Sequence, residues 1–275
     1  IGFVLIGLIM FGFSFYQSKQ YQKQVEAQAQ LDSIAMVEHV VETSAVAVKV
    51  ENEKNVKVYK DSLLNEARTA QEQIVALSND KMQVEFTTRG AQVYSVKLND
   101  YMSYDSTALY LVKPQMSSYG VNLYVGEYIN TKDFVFDVVE QTDSTVVMRM
   151  PFANGGYIQQ KYALASGTYN VSNELSVNGN IIPRNVSSLD IDWSLTIPRL
   201  EKGYKNEKQY SKLDYYFSGE DDVEEIAEGT DEHARVSSRL KWFAFQQQFF
   251  SAIVTPAKEL DGADFTVNYY SDQQY

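Results

Sequence analysis

From Met82 onward the chain alternates between apolar and polar positions. Met82, Val84 and Phe86 are separated by polar residues, Arg89-Gly90 interrupts the run, and Tyr94, Val96 and Leu98 resume it. A period of two puts successive side chains on opposite faces, so each run predicts a strand with one buried face. Further strands are predicted at ALYLV (108–112), VNLYVG (121–126), FVFDVV (134–139), TVVMRM (145–150), GYIQQKYAL (156–164), YNVSNELSV (169–177) and LDIDWSLTI (189–197). Turn signals separate several of them: Asn154-Gly155-Gly156, Ser166-Gly167 and Asn178-Gly179. Many short strands at this spacing predict a mainly β protein, with a large antiparallel β-sandwich over residues 77–235.

The N-terminal end follows a different pattern. IGFVLIGLIMFGFSFY, Ile1 to Tyr16, is uncharged throughout. A spanning helix needs about 20 apolar residues, so this run is short unless residues ahead of Ile1 complete it. The first residue is Ile, not Met, and the chain reads as a piece of something longer. A signal-peptide core is the alternative, but no small-x-small cleavage pattern follows. Phe13, Phe15 and Tyr16 suit an interfacial belt, and an uncleaved transmembrane anchor over 1–16 is the expectation. Residues 17–76, Gln-rich and then Val/Lys/Glu-rich, contain neither Gly nor Pro and read as a polar linker. Within it Leu63, Ala67, Ala70, Ile74 and Leu77 fall on one stripe and predict a short helix over Asp61 to Leu77.

The C-terminal end, residues 236–275, contains LKWFAFQQQFFSAIV from Leu240 to Val254. On a helical wheel Phe245, Phe249, Trp242, Ile253, Phe250, Phe243 and Val254 cover an arc of about 180°. That predicts an amphipathic helix closing the sandwich, with more apolar surface than one contact with a sheet covers. The surplus points to lipid headgroups or a neighbouring membrane helix, with Trp242, Phe245, Phe249 and Phe250 as the candidate contact residues.

Composition narrows the function. The 275 residues carry a net charge of −12, which argues against nucleic acid as a partner, and the absence of Cys excludes disulfide and thiolate chemistry. The two His, His39 and His233, have no Ser, Cys or second His at triad or metal-ligand spacing. Eight acids lie between Gly219 and Glu232, but without the alternating oxygen ligands and central Gly of a calcium loop, so a solvated acidic loop is expected. Asp190 and Asp192 share one face of one predicted strand and read as its wet side, not as a glycosidase pair. No catalytic residue, cofactor or metal is expected.

Three stretches resemble the YidC family of bacterial membrane protein insertases. The Ile1–Tyr16 run looks like the first transmembrane helix of Gram-negative members. LSNDKMQVEFTTRGAQVYSVKLNDY, Leu77 to Tyr101, is similar to the start of their periplasmic domain, and LKWFAFQQQFFSAIV is similar to the segment that closes it. The resemblance implies a supersandwich of the galactose-mutarotase type, held in the periplasm by an inner-membrane anchor. It also implies work on nascent inner-membrane proteins, alone or beside the Sec translocon. The family's insertion groove is built from later transmembrane helices, and none lies within Ile1 to Tyr275, so no groove residue carries over. Two other classes stand beside this one, a carbohydrate-binding or mutarotase-like domain and a membrane-anchored scaffold. The first lacks an imidazole base, since the sandwich region contains no His before His233.

Overall fold

The computed structural model describes residues 57–269 apart from 187, 220 and 227–230. The alternating stretches become antiparallel strands. The first sheet is a meander of β1 (Ile74–Ser78), β2 (Met82–Thr87), β3 (Gln92–Met102) and β4 (Ala108–Val112) in chain order. Met82, Val84 and Phe86 point inward, and Met82 pairs with Leu98 and Val84 with Val96 across the β2–β3 hairpin. Gly90, in the turn that joins them, sits at φ +74, and a Cβ there would come within 3.0 Å of the Lys132 backbone. Only glycine takes up that geometry without strain.

A second sheet runs β10-β9-β8-β7, from β7 (Asp137–Gln141), β8 (Thr145–Pro151), β9 (Tyr157–Leu164) and β10 (Val171–Asn178). A third runs β11-β5-β6, from β5 (Ser117–Tyr124), β6 (Tyr128–Asn130) and β11 (Asp190–Leu195). Inward residues of all three sheets share one core, including Phe86, Val121, Ile129, Met148, Met150 and Ile158. In FVFDVV the strand begins later than expected: β7 starts at Asp137, while Phe134 and Phe136 are driven into the core ahead of it.

A second, smaller core follows. The sheet β13-β12-β15-β16, from β12 (Lys212–Phe217), β13 (Glu224–Ile226), β15 (Leu240–Gln246) and β16 (Ser251–Val254), faces the pair β14 (Glu232–Val236) and β17 (Ala263–Val267). Leu213, Tyr215, Ile226, Val236 and Leu240 are its buried members. Both cores lie in the single unit that begins at Tyr59. The acidic stretch is not all loop, because Glu224–Ile226 forms β13 and buries Ile226 beside Leu213.

Two expectations about helices are corrected. LKWFAFQQQFFSAIV is no amphipathic helix but a hairpin, β15 and β16 joined through residues 247–250. Its aromatics serve both faces of a strand, and the β-propensity of Trp, Phe, Ile and Val outweighs the helical stripe. The helix expected over Asp61 to Leu77 stops early. It is α1 (Ser62–Thr69), capped by Asp61, whose side chain accepts from the Leu63 N–H at 2.9 Å. Ile74 and Leu77 belong to β1 instead, where β-branched Ile74 and Val75 pair with Thr87 and Phe86. A second short helix, α2 (Tyr204–Tyr210), precedes β12. Among the described residues no helix is long and apolar enough to cross a membrane, and the predicted anchor over 1–16 lies outside them.

The helix α1 fastens to the sandwich chiefly by Leu64, with Ala67 packed beside it and the Ala67 carbonyl accepting from the Val135 N–H at 2.8 Å. Leu64, outside the predicted stripe, is its single fully buried residue and joins the first core. Truncation of a buried Leu costs about 2–5 kcal/mol and an exposed change about 0.5 kcal/mol or less. Leu64→Ala should therefore lower the urea midpoint markedly and Glu66→Ala should not. Equal midpoints would show that α1 is not part of the folded unit.

Candidate functional site

The hairpin β15–β16 collects all four candidate contact residues and sends them to different places. β15 lies between two partners, pairing Leu213 with Phe245, Tyr215 with Phe243 and Tyr216 with Trp242 on one side. On the other side Phe245 pairs with Ala252 and Ala244 with Ile253. Phe243 and Phe245 pack against the second core, and both meet the Trp193 ring of β11 edge-on, at 6.1 and 5.5 Å between centroids. This seam ties the third sheet to the fourth. Trp242, on the opposite face, is half-buried and stacks on Tyr216 at 6.2 Å.

Gln247 and Gln248 build the turn. Gln247 is buried; its N–H donates to the Phe250 carbonyl at 2.8 Å, and its side-chain Nε2 donates to the Pro198 carbonyl at 2.8 Å. Gln248 Oε1 accepts from Asn206 Nδ2 of α2 at 3.3 Å. That geometry reverses the chain so that its last two turn residues diverge. Phe250 reaches the first core and meets the Tyr101 ring edge-on at 5.3 Å. Phe249 points away and is 67% exposed. Of Trp242, Phe245, Phe249 and Phe250, only Phe249 stands open.

Neighbouring segments hold the turn in place. Arg199 lies over the rings of Tyr104 and Tyr204, at 5.1 and 5.8 Å. The Ser103–Tyr104 end of the β3–β4 connection is tied to the Leu200 carbonyl through the Tyr104 N–H at 3.2 Å. The Leu200 N–H in turn donates to the buried Glu207 carboxylate at 2.8 Å. Burial pushes the Glu207 carboxyl above its ordinary range, partly offset by the backbone N–H groups it accepts from. Sequence reading missed Tyr101, Tyr104, Pro198 and Glu207 because these partners lie 40 to 150 residues away from the turn. The usable signal was the width of the arc, since apolar residues spread over half a helical wheel also fit both faces of a strand.

The rest of the surface offers little for chemistry. An open cleft of about 330 Å3 is lined by Lys60, Asp61, Leu64, Glu127, Phe152 and Ile181, among others. Its acids are engaged: Asp61 accepts from the N–H groups of Leu63 and Ala153, and Glu127 from that of Lys60. Asp192 lies on the wet face of β11, where it accepts from Asn122 at 2.8 Å and Asn130 at 3.3 Å. His233 pairs with Asp264 across β14 and β17, and His39 lies outside the described residues. Inside the first core the Tyr162 hydroxyl donates to the Ala91 carbonyl at 2.8 Å, and burial pushes its pKa well up. No group of three His, Cys, Asp or Glu is placed to hold a metal among the described residues.

Antiparallel sheets around two cores, locked by an aromatic hairpin, put this chain in the class of large all-β sandwich domains. Within that class it belongs to the YidC periplasmic domain family, whose model matches residues 74–275. A membrane protein insertase YidC of Bacteroides fragilis is 31% identical over 267 residues, covering 94% of this chain and 43% of that protein. The one of Phocaeicola vulgatus is 32% identical over 276 residues, covering 97% of this chain and 44% of that protein. The chain thus spans less than half the length of these curated relatives. A solved galactose mutarotase-like protein from Lactobacillus casei superposes with a TM-score of 0.37 at 11% identity, over 70% of this chain and 68% of that one. That likeness is too loose to bear on function.

The two phenylalanines of the turn separate cleanly in an unfolding experiment. Phe250→Ala should cost about 3 kcal/mol, the low end for removing a packed Phe, while Phe249→Ser should shift stability by about 0.5 kcal/mol or less. Urea titration of both variants checks this. Equal losses would mean that Phe249 is also core.

Proposed function

We propose that this chain is the periplasmic domain and first membrane anchor of a membrane protein insertase in a bacterial inner membrane. Its clients are nascent inner-membrane proteins, inserted and folded alone or beside the Sec translocon. The observation that carries the reading is the family match over residues 74–275, together with relatives named membrane protein insertase that align along nearly the whole chain. The domain itself acts by holding and orienting, not as an enzyme. The uncharged run Ile1–Tyr16 supplies the anchor.

Physical arguments support a positioning role. A chain with a net charge of −12 is repelled by anionic headgroups over most of its surface, so its approach to a bilayer must use selected side chains. Among Trp242, Phe245, Phe249 and Phe250, Phe249 is the one exposed enough to meet lipid or a following membrane helix without unfolding the domain. Trp242 stands next, half-buried on the outer face of its sheet.

The test uses the full-length protein in cells depleted of their own insertase, with protease protection of a labelled single-span client as readout. Restored client insertion is the expected result. A full-length protein that accumulates in the membrane yet restores none would overturn the reading. A mature N-terminus between Gln17 and Gln30 would separately remove the anchor.

A further inference from the structure

Three loop ends converge beside the turn of the β15–β16 hairpin. The end of β3 and its connection bring Tyr101, Met102 and Tyr104; residues 198–208 bring the approach to α2; the turn brings Phe249. They are stitched together by the Tyr101–Phe250 ring contact and by the bond from the Tyr104 N–H to the Leu200 carbonyl. The bonds Gln247 to Pro198 and Asn206 to Gln248 complete the junction. Tyr169, from the β9–β10 turn, lies near Tyr101. The apolar side chains here are open to solvent, Met102 at 74% and Phe249 at 67%, with Tyr101, Tyr104 and Tyr169 about half exposed. They project from turns and strand ends instead of lining a groove. Three are tyrosines, with an apolar ring and a polar tip, the type enriched where one end must be dry and the other wet.

Charge in this region differs from that of the chain as a whole. Residues 199–208 carry Arg199, Lys202, Lys205 and Lys208 against Glu201 and Glu207, and Glu207 is buried and hydrogen-bonded. Asp100, near the end of β3, pairs with Lys81 at 3.2 Å, and Asp105 of the β3–β4 connection accepts from the Thr107 hydroxyl at 2.6 Å. The segment after β17 packs here too. Tyr269 donates its hydroxyl to the Ser211 carbonyl, and Lys208 lies over its ring at 4.9 Å. That is about one helix length, roughly 10 Å, from the Asn206–Gln248 contact.

Resting on the insertase reading above, we propose that this end of the domain docks on an anionic bilayer surface. Phe249, Met102 and Tyr101 enter the headgroup boundary while Lys202 and Lys205 meet lipid phosphates. Exposed aromatic and Met side chains bind an interface in proportion to the apolar area they bury, and cations beside them add attraction to anionic lipid. The opposite end supplies an internal control. Tyr128 is 77% exposed on β6, next to Glu127, which lines the cleft with Phe152 and Asn180. Those residues flank the Pro151, Tyr157 and Asn178 ends of β8, β9 and β10, whereas Tyr169 lies beyond their other end. One β9 strand of eight residues separates the two ends by roughly 25 Å.

The chain has no Cys, so single cysteines can report each position. Phe249→Cys, Met102→Cys and Tyr128→Cys in the anchored chain are labelled with an environment-sensitive fluorophore. The labelled chains are then reconstituted into phosphatidylcholine–phosphatidylglycerol vesicles containing lipids that bear a nitroxide near the headgroup. The expected result is strong quenching at 249 and 102, none at 128, and loss of quenching at 249 on adding Lys202→Glu and Lys205→Glu. A chain that fails to float with the vesicles overturns the anchor reading, and this inference with it. A chain that floats but shows equal quenching at all three positions, or none, overturns the docking face alone. A blue shift at 249 without lipid quenching also overturns it, since a protein surface then covers the residue.

Discussion

The bond from the Gln247 side chain to the Pro198 carbonyl is the contact on which this architecture turns. It is buried, and it joins the β15–β16 turn to the connection before α2, whose Leu200 lies in the first core. A buried carbonyl left without a donor costs about 1–3 kcal/mol, so the turn has one favourable seat. Once Gln247 is seated, the positions of its neighbours follow. Phe250 enters the first core against Tyr101, Gln248 reaches Asn206 of α2, and Phe249 is left facing outward. The Trp193 contacts with Phe243 and Phe245 run beside this bond and close the same seam with apolar surface.

The alternating part of the chain was legible because its physics is local. Met82, Val84 and Phe86 face the core as a period of two requires, and strands arise at 108–112, 145–150 and in most of 156–164 where the pattern placed them. The hairpin β15–β16 was not legible in the same way. Its aromatics lie on both faces of β15 because sheet partners wait on both sides, Phe265 on one and Tyr216 on the other. Those partners are distant in sequence, so the local pattern also satisfied a helical stripe. The QQQ run reads as part of that helix, and only the fold shows that Gln247 sits in a turn and points inward.

The candidate surface is an expectation drawn from residue type, and packing decides which of its residues stay outside. An excess of Phe and Trp near the C-terminal end pointed to contact with something beyond the domain. Tertiary packing then absorbed Phe245 and Phe250 and left Phe249 outside. In the proposed docking face Met102, Tyr101, Lys202 and Lys205 join it from segments that carried no signal of their own. In a strongly acidic chain, a small region that presents the exposed Lys202 and Lys205 is where approach to an anionic surface costs least.

Native-state hydrogen exchange on a Gln247→Ala variant tests the central claim most directly. If this turn locks the second core to the first, amides of β12 and β15 should lose protection by about tenfold or more, the equivalent of the roughly 1–3 kcal/mol left uncompensated at Pro198. Amides of β2 and β9 should keep theirs. Unchanged protection in β12 and β15 would contradict the account, because the two cores would then be held together without the turn.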